Sequence, residues 1–159
     1  MSHTSTEHEV LAVVFQVGDA TSRKPTLNVL LWQRAMQPER GLWSLPGGRL
    51  RADEDLTTSV RRQLAEKVDL REIAHLEQLA VFSDPHRVPG VRMEFYHAYK
   101  LIFLCTITGG EACPSNETSA VDFFDLEHLP PLSNYRTSRQ MLDEVFAHFA
   151  DPARPAAFD

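Results

Sequence analysis

The chain has 159 residues, 43% of them hydrophobic, and a formal net charge of −6, which is the size and composition of one globular domain. An acidic balance argues against a protein that binds nucleic acid through a broad basic face. The apolar runs are much shorter than the roughly 20 residues of a membrane span, and the polar first nine residues do not resemble a signal peptide. We therefore expect a single cytoplasmic domain over residues 1–159, with no nucleic-acid or membrane partner.

The first third of the chain predicts two strands, a long loop and a helix. Val10–Val17 and Leu27–Trp32 are β-branched and aliphatic runs, which predict two paired strands. A loop rich in Pro and Gly is expected over Gln33–Gly48. Asp55 is a suitable N-cap for a helix over Leu56–Val68. The helix has one apolar stripe, formed by Leu56, Val60, Leu64 and Val68.

The rest of the chain predicts three more strands and a closing helix. The strands are expected over Leu76–Phe82, Phe95–Thr108 and Val121–Phe124. Gly109-Gly110 supplies the positive φ angles of a tight turn, and Pro130-Pro131 interrupts the chain before a helix over Tyr135–Phe149. Beyond Asp151 the tail has little to pack against. The order ββαβββα predicts a mixed sheet covered by helices, in an α/β or α+β sandwich.

The segment from Gly41 to Leu70 carries the residues most suited to chemistry. Gly47 and Gly48 allow the backbone to approach a ligand closely, and their peptide groups can coordinate a cation or receive a phosphate oxygen. Positions 63, 66 and 67 lie three and four residues apart on the predicted helix, so they share one face and could converge on one ion.

This segment resembles the Nudix box, G-x5-E-x7-R-E-U-x-E-E-x-G-U, where U is aliphatic. The residues that fall on its positions are Gly48, Glu54, Arg62, Leu64, Glu66 and Leu70. Flanking segments between Val10 and Phe149 also resemble bacterial Nudix proteins often called ADP-ribose pyrophosphatases. The resemblance implies a Nudix-type α/β/α sandwich with a mixed β-sheet, in a protein that is often a homodimer. It also implies Mg²⁺- or Mn²⁺-dependent hydrolysis of a nucleoside diphosphate linked to another moiety, with ADP-ribose as the expected kind of substrate.

Three departures from the box affect its chemistry. Gln63 replaces a Glu and cannot act as a proton acceptor, Lys67 replaces a Glu and reverses its sign, and Asp69 replaces a Gly. Together, helix positions 63, 66 and 67 carry a charge of −3 in the family and zero here. We therefore expect the usual multi-metal cluster to be weak or absent.

The resemblance assigns a role to each candidate residue. Glu66 and Glu117 would hold one metal ion with the Gly47 carbonyl, and the catalytic face would consist of Glu66, Glu117, Gln63 and Lys67. The expected substrate contacts are Arg34, Gly48 and Arg87. Arg87 belongs to a predicted loop, Asp84–Arg87, which resembles a loop of Nudix proteins that include ADP-ribose-binding regulators. Glu54 and Arg62 are expected to brace the loop to the helix, and Trp32 and Trp43 either stack on a base or pack in the core.

Three functions remain open at this level. The first is a Nudix pyrophosphohydrolase with weakened activity. The second is a catalytically silent fold that binds a nucleotide as a sensor or interaction module, with Lys67 replacing a metal ion against the pyrophosphate. The third is an enzyme whose substrate is easier to cleave than a pyrophosphate. Related regulators carry a DNA-binding domain after the Nudix part, and we do not expect one in this chain.

Overall fold

A computed structural model of the protein describes residues 4–18, 26–37, 39–87, 95–133, 136–151 and 157–158. There are two α-helices, α1 (Leu56–Val68) and α2 (Arg139–Ala150). The strands are β1 (Thr4–Val13), β2 (Phe15–Gly18), β3 (Thr26–Arg34), β4 (Trp43–Ser44), β5 (Gly47–Arg49), β6 (Glu72–Arg87), β7 (Phe95–Gly109), β8 (Thr118–Phe124) and β9 (Ala157–Phe158). Within this described part, neither helix is long and apolar enough to cross a membrane.

The strands form two sheets. The larger is mixed, in the order β5-β1-β7-β6-β9, with β1 parallel to β7 and antiparallel to β5. In the smaller sheet β3 pairs antiparallel with β2, β4 and β8. The chain passes from one sheet to the other at Val14, whose carbonyl accepts a hydrogen bond from the Leu30 amide at 2.9 Å. The single strand predicted over Val10–Val17 is therefore wrong: only its second part pairs with β3, while its first part is an inner strand of the larger sheet.

Two apolar cores lie on opposite faces of the sheets. Because neighbouring strand residues point to opposite faces, Val10 and Leu30 pack with α1, whereas Leu11 and Leu31 pack with α2. The α1 side also contains the predicted stripe, in which Val60, Leu64 and Val68 are fully buried and Leu56 is partly buried. The α2 side contains Met141, Leu142 and Val145. The expected α/β/α sandwich with a mixed sheet is confirmed.

The two helices differ in how well the sequence located them. Helix α1 has the predicted bounds, because the Asp55 carboxylate accepts a hydrogen bond from the Thr58 amide at 2.7 Å and caps the first turn. Helix α2 begins at Arg139, not at Tyr135 as predicted. Its cap is Ser138, whose hydroxyl oxygen accepts from the Met141 amide at 3.2 Å.

Three predicted irregular segments contain strand. The expected loop Gln33–Gly48 includes β4 and the start of β5, because its Gly-Gly pair lies antiparallel to β1. Asp84–Arg87, expected as a loop, extends β6 along β7. In the tail, Ala157–Phe158 pairs in parallel with Ala80–Val81, so this part packs on the edge of β6. Of the expected Gly109-Gly110 turn, Gly110 has a positive φ of 86° and Gly109 ends β7.

Candidate functional site

The amino-terminal half of α1 is tied to the preceding segment by an ion pair. Arg62 donates from Nε and Nη2 to the two carboxylate oxygens of Glu54, at 3.0 and 2.7 Å. Arg62 Nη2 also donates to the Arg49 carbonyl at 3.1 Å, and the Arg51 amide donates to Glu54 at 3.0 Å. The hydrogen bond from Arg62 lowers the pKa of Glu54 from 4.5 to about 2. Glu54 and Arg62 thus join the loop before α1 to the helix, and we call this pair the brace.

Gln63 is packed beneath β5 and points away from solvent. Its exposed fraction is only 4%, and a Cβ atom placed on Gly48 would lie 2.7 Å from its Nε2. Within the described part of the chain, Gln63 Oε1 is buried without a hydrogen-bond partner. Gly48 therefore packs against the end of the Gln63 side chain. This side chain is a neutral amide, which cannot accept a proton, at the position where the box has a glutamate.

Lys67 is held in a fixed position at the end of the same helix face. Its ammonium group forms an ion pair with Glu117 and lies 5.0 Å from the ring centroid of Trp32. Trp32 is 1% exposed and donates from Nε1 to the Leu45 carbonyl at 3.1 Å, so the ring is immobilised. The Thr118 hydroxyl donates to the Lys67 carbonyl at 2.9 Å. Trp32 thus serves as a buried support for a cation, which answers the open question about its role in favour of packing.

Glu117 is surrounded by positive charge. The hydrogen bond from Lys67 holds the pKa of its carboxyl below the usual range, and the charges of Lys67, Arg34 and Arg136 act in the same direction. Arg34 also lies over Trp32, with its Cζ atom 5.7 Å from the ring centroid. The sequence missed Arg136, because it lies in a turn before α2 and nothing in its local pattern connects it with the helix of the box.

The carboxylates expected to hold a metal ion are each paired with a cation. Glu66 contacts Arg62 Nη1 at 3.3 Å and Arg51 at 4.0 Å, and Glu117 contacts Lys67. Across the described residues, no three His, Cys, Asp or Glu side chains are grouped so that they could hold a metal ion. As arranged, this donor set does not fit a magnesium cluster, because an ammonium group stands among the ligands and the acids are already neutralised.

The structure accounts for other candidates by packing or leaves them as predictions. Gly47 is required by close strand approach, since a Cβ atom there would lie 2.2 Å from the Val10 carbonyl oxygen; its role as a metal ligand stays a prediction. Trp43 packs edge-on against Phe124, at 4.9 Å between ring centroids. Arg87 ends β6, and its side chain lies outside the described part.

Comparisons with known proteins place these observations in a family. The NUDIX domain model matches residues 7–145. The ADP-ribose pyrophosphatase of Methanocaldococcus jannaschii is 31% identical over 106 residues, which cover 66% of this chain and 59% of that protein. The chain thus spans about three fifths of the length of this curated relative.

Solved structures agree with this match. The crystal structure of an ADP-ribose pyrophosphatase from Streptococcus suis superposes with a TM-score of 0.72 and 25% identity, covering 96% of this chain and 98% of that one. The NUDIX domain of Shewanella oneidensis NrtR, solved in complex with ADP ribose, gives a TM-score of 0.66 and 25% identity, covering 91% of this chain and 89% of that one.

Proposed function

The chain belongs to the NUDIX domain family, and from that premise we propose that it binds a nucleotide-derived ligand of the ADP-ribose class and hydrolyses it slowly or not at all. The observation that carries this proposal is the ion pair between Lys67 and Glu117. It places a protein cation, paired with the nearest acid, on the helix face where the box of the family carries glutamates.

Low turnover follows from the charges on this face. NUDIX hydrolases generally depend on divalent metal ions, which neutralise the pyrophosphate and activate the attacking water. Lys67 repels such an ion, and Gln63 cannot take a proton from the water. Both substitutions act in the same direction, and Gln63 is buried beneath Gly48, where it is shielded from water.

Ligand binding is supported by the same residues. Lys67 and Arg34 present two fixed cations next to Trp32, and a fixed cation forms strong charge-assisted hydrogen bonds with phosphate oxygens. The Shewanella oneidensis relative was solved with ADP ribose, and the Methanocaldococcus jannaschii relative is called an ADP-ribose pyrophosphatase. We therefore choose ADP-ribose as the first ligand to test.

A second candidate function is slow pyrophosphohydrolysis with one metal ion. The side chains of Glu66 and Glu117 are 48% and 56% exposed, so both could rotate away from their cations toward a metal ion that the Gly47 carbonyl also contacts. This mode would use the residues assigned by the resemblance, but it requires two ion pairs to break.

The test measures binding and turnover separately. Purified protein is titrated with ADP-ribose in EDTA by calorimetry, and AMP release is then followed with Mg²⁺ or Mn²⁺. We expect binding without metal and little or no AMP. The double variant Gln63→Glu, Lys67→Glu restores the charge of the box, and we expect it to release AMP about 100-fold faster than the wild type, within the range typical of general acid–base groups.

A matched control separates the restored glutamates from the mere loss of a cation. Lys67→Met removes the positive charge without adding a metal ligand, so it should weaken ADP-ribose binding in EDTA and leave AMP release low. Rapid metal-dependent turnover by the wild type that the double variant does not greatly exceed would favour the second function. Failure of the wild type to bind ADP-ribose would contradict the proposed ligand.

A further inference from the structure

The larger sheet has a gap where β1 leaves it. Strand β1 runs parallel to β7 as far as Val13, which pairs with Leu104, and the chain then crosses to the smaller sheet as β2. The last part of β7, residues 105–109, still pairs with β6 on one side, but no described strand pairs with it on the other. Within the described part of the chain, β2 likewise pairs only with β3. Two strand edges are therefore open at this point of the fold.

Empty space separates these two edges. A cavity of about 250 Å³ is lined on one side by residues 14–17 and on the other by residues 104–107. A second cavity of about 460 Å³ shares residues 14–16 and Ile107 with the first and extends to residues 110–112, after β7. Together they form one cleft between β2 and β7, which we call the edge cleft. None of its described lining residues belongs to the candidate site of Gln63, Lys67 and Glu117.

The lining of the edge cleft is largely apolar, and its charged groups are all negative. In the smaller cavity Val17 and Phe149 are 53% and 42% exposed, which leaves apolar surface uncovered. The larger cavity contains the exposed acids Glu111 and Asp122. No Lys or Arg is among the described residues that line either cavity. A complementary occupant is therefore apolar and carries positive charge at the end near Glu111.

We propose that the edge cleft binds an extended peptide segment of a partner protein as an added strand beside β7, with a Lys or Arg side chain of that segment at Glu111. The open edge of β7 presents backbone donors and acceptors at the spacing of an extended chain. About five residues at roughly 3.3 Å each match the length of this edge. The surface is separate from the site of the proposed nucleotide-derived ligand, so the two proposals stand or fall independently.

The first experiment tests for strand pairing. The probe is the synthetic peptide acetyl-Lys-Val-Thr-Val-Lys-amide, titrated into the full chain by calorimetry, with backbone hydrogen exchange as a second readout. We expect saturable binding with a Kd below about 1 mM and slower exchange within residues 105–109. The same peptide with every backbone nitrogen methylated keeps its side chains but cannot donate to a strand edge. Its Kd should be higher by a factor of about ten or more.

The second experiment tests the charge of the edge cleft. Glu111→Lys should raise the Kd of this peptide about fivefold and lower that of acetyl-Glu-Val-Thr-Val-Glu-amide by a similar factor. Glu127→Lys is the matched control, because it makes the same change on an exposed side chain in the turn after β8, outside the lining of the cleft. It should leave both Kd values within about twofold of the wild type. Melting temperatures are compared to verify that each variant is folded.

Each outcome decides the proposal. Absence of saturable binding below about 1 mM overturns it, as does equal binding of the methylated peptide or an equal effect of Glu127→Lys. Octylamine that slows exchange within residues 105–109 as strongly as the peptide would identify the occupant as a small apolar cation instead. A dimer of the free protein that the peptide dissociates would identify the occupant as a second copy of this chain, and either result overturns the assignment to a partner peptide.

Discussion

Two of the ion pairs on helix α1 differ in burial and in the number of hydrogen bonds. The pair between Arg62 and Glu54 is largely buried, with side-chain exposures of 16% and 8%, and is supported by the backbone of Arg49 and Arg51. The pair between Lys67 and Glu117 joins a partly buried lysine to an exposed carboxylate. The first pair is enclosed on both sides, whereas the carboxylate of the second is 56% exposed to solvent.

The difference separates the part of the box that supports the fold from the part that we propose contacts the ligand. The positions that brace the loop, Glu54 and Arg62, match the family pattern, while Gln63 and Lys67 on the reactive face do not. A chain can keep the backbone of the box without its metal chemistry, because the brace uses its own hydrogen bonds and does not depend on the charge of the following turn. Substitutions in the two parts should therefore affect different measurements.

The largest effect on stability is expected at Gly47. In Gly47→Ala the new Cβ atom meets the Val10 carbonyl oxygen at 2.2 Å, so β5 must move away from β1. We expect the free energy of unfolding to fall by about 3 kcal/mol, measured by urea denaturation. Gly48→Ala is the matched comparison: its Cβ atom meets the end of the Gln63 side chain, which can shift, so we expect a loss of about 1 kcal/mol. Equal losses would show that strand approach at Gly47 does not constrain the backbone.

The brace should give the protein a defined dependence on acid. The pKa of Glu54 falls from 4.5 to about 2 on folding, so its stabilisation is fully present above about pH 5 and is lost as the pH falls toward 2. Glu54→Gln should lower the free energy of unfolding by about 1.5 kcal/mol at pH 7, and the difference from the wild type should shrink by pH 3. Urea midpoints at the two pH values measure this.

Glu66→Gln is the control for the brace, because it removes the more exposed partner of the same arginine. An exposed pair at this helical spacing is worth about 0.3 kcal/mol. If Glu66→Gln costs as much as Glu54→Gln, or if the loss in Glu54→Gln is the same at pH 3 and pH 7, the brace does not have the strength that its geometry indicates.

The sequence predicted elements whose determinants are local. Helix α1 was located to the residue because Asp55 caps it and its apolar stripe has a helical period. The strand Phe95–Thr108 was predicted to within one residue, because most residues of this segment are β-branched, aliphatic or aromatic. In contrast, the break at Val14 could not be seen, since Val10–Val17 is one apolar run and only the pairing with two different sheets divides it.

The candidate site could be predicted only where the residues belong to one segment. Gln63, Glu66 and Lys67 share a helix face, so spacing alone placed them together. Arg136 comes from a distant turn, and its effect on Glu117 depends on how that turn packs. The pairing of Lys67 with Glu117 spans 50 residues, and the resemblance suggested both as site residues without indicating that one neutralises the other.

A small gain in stability is expected at Asp69, the third departure from the box. Asp69 ends α1 in the left-handed conformation, with φ 58° and ψ 33°, which explains why the family pattern has glycine there. Asp69→Gly should raise the free energy of unfolding by about 0.5 kcal/mol, because relief of the strain exceeds the loss of an exposed pair with Arg71.

Asp69→Ala keeps the strain and should be less stable than the wild type. Neither variant should change the Kd for ADP-ribose in EDTA, because Asp69 lies at the helix end in an exposed pair with Arg71; a changed Kd would place Asp69 in the ligand site instead.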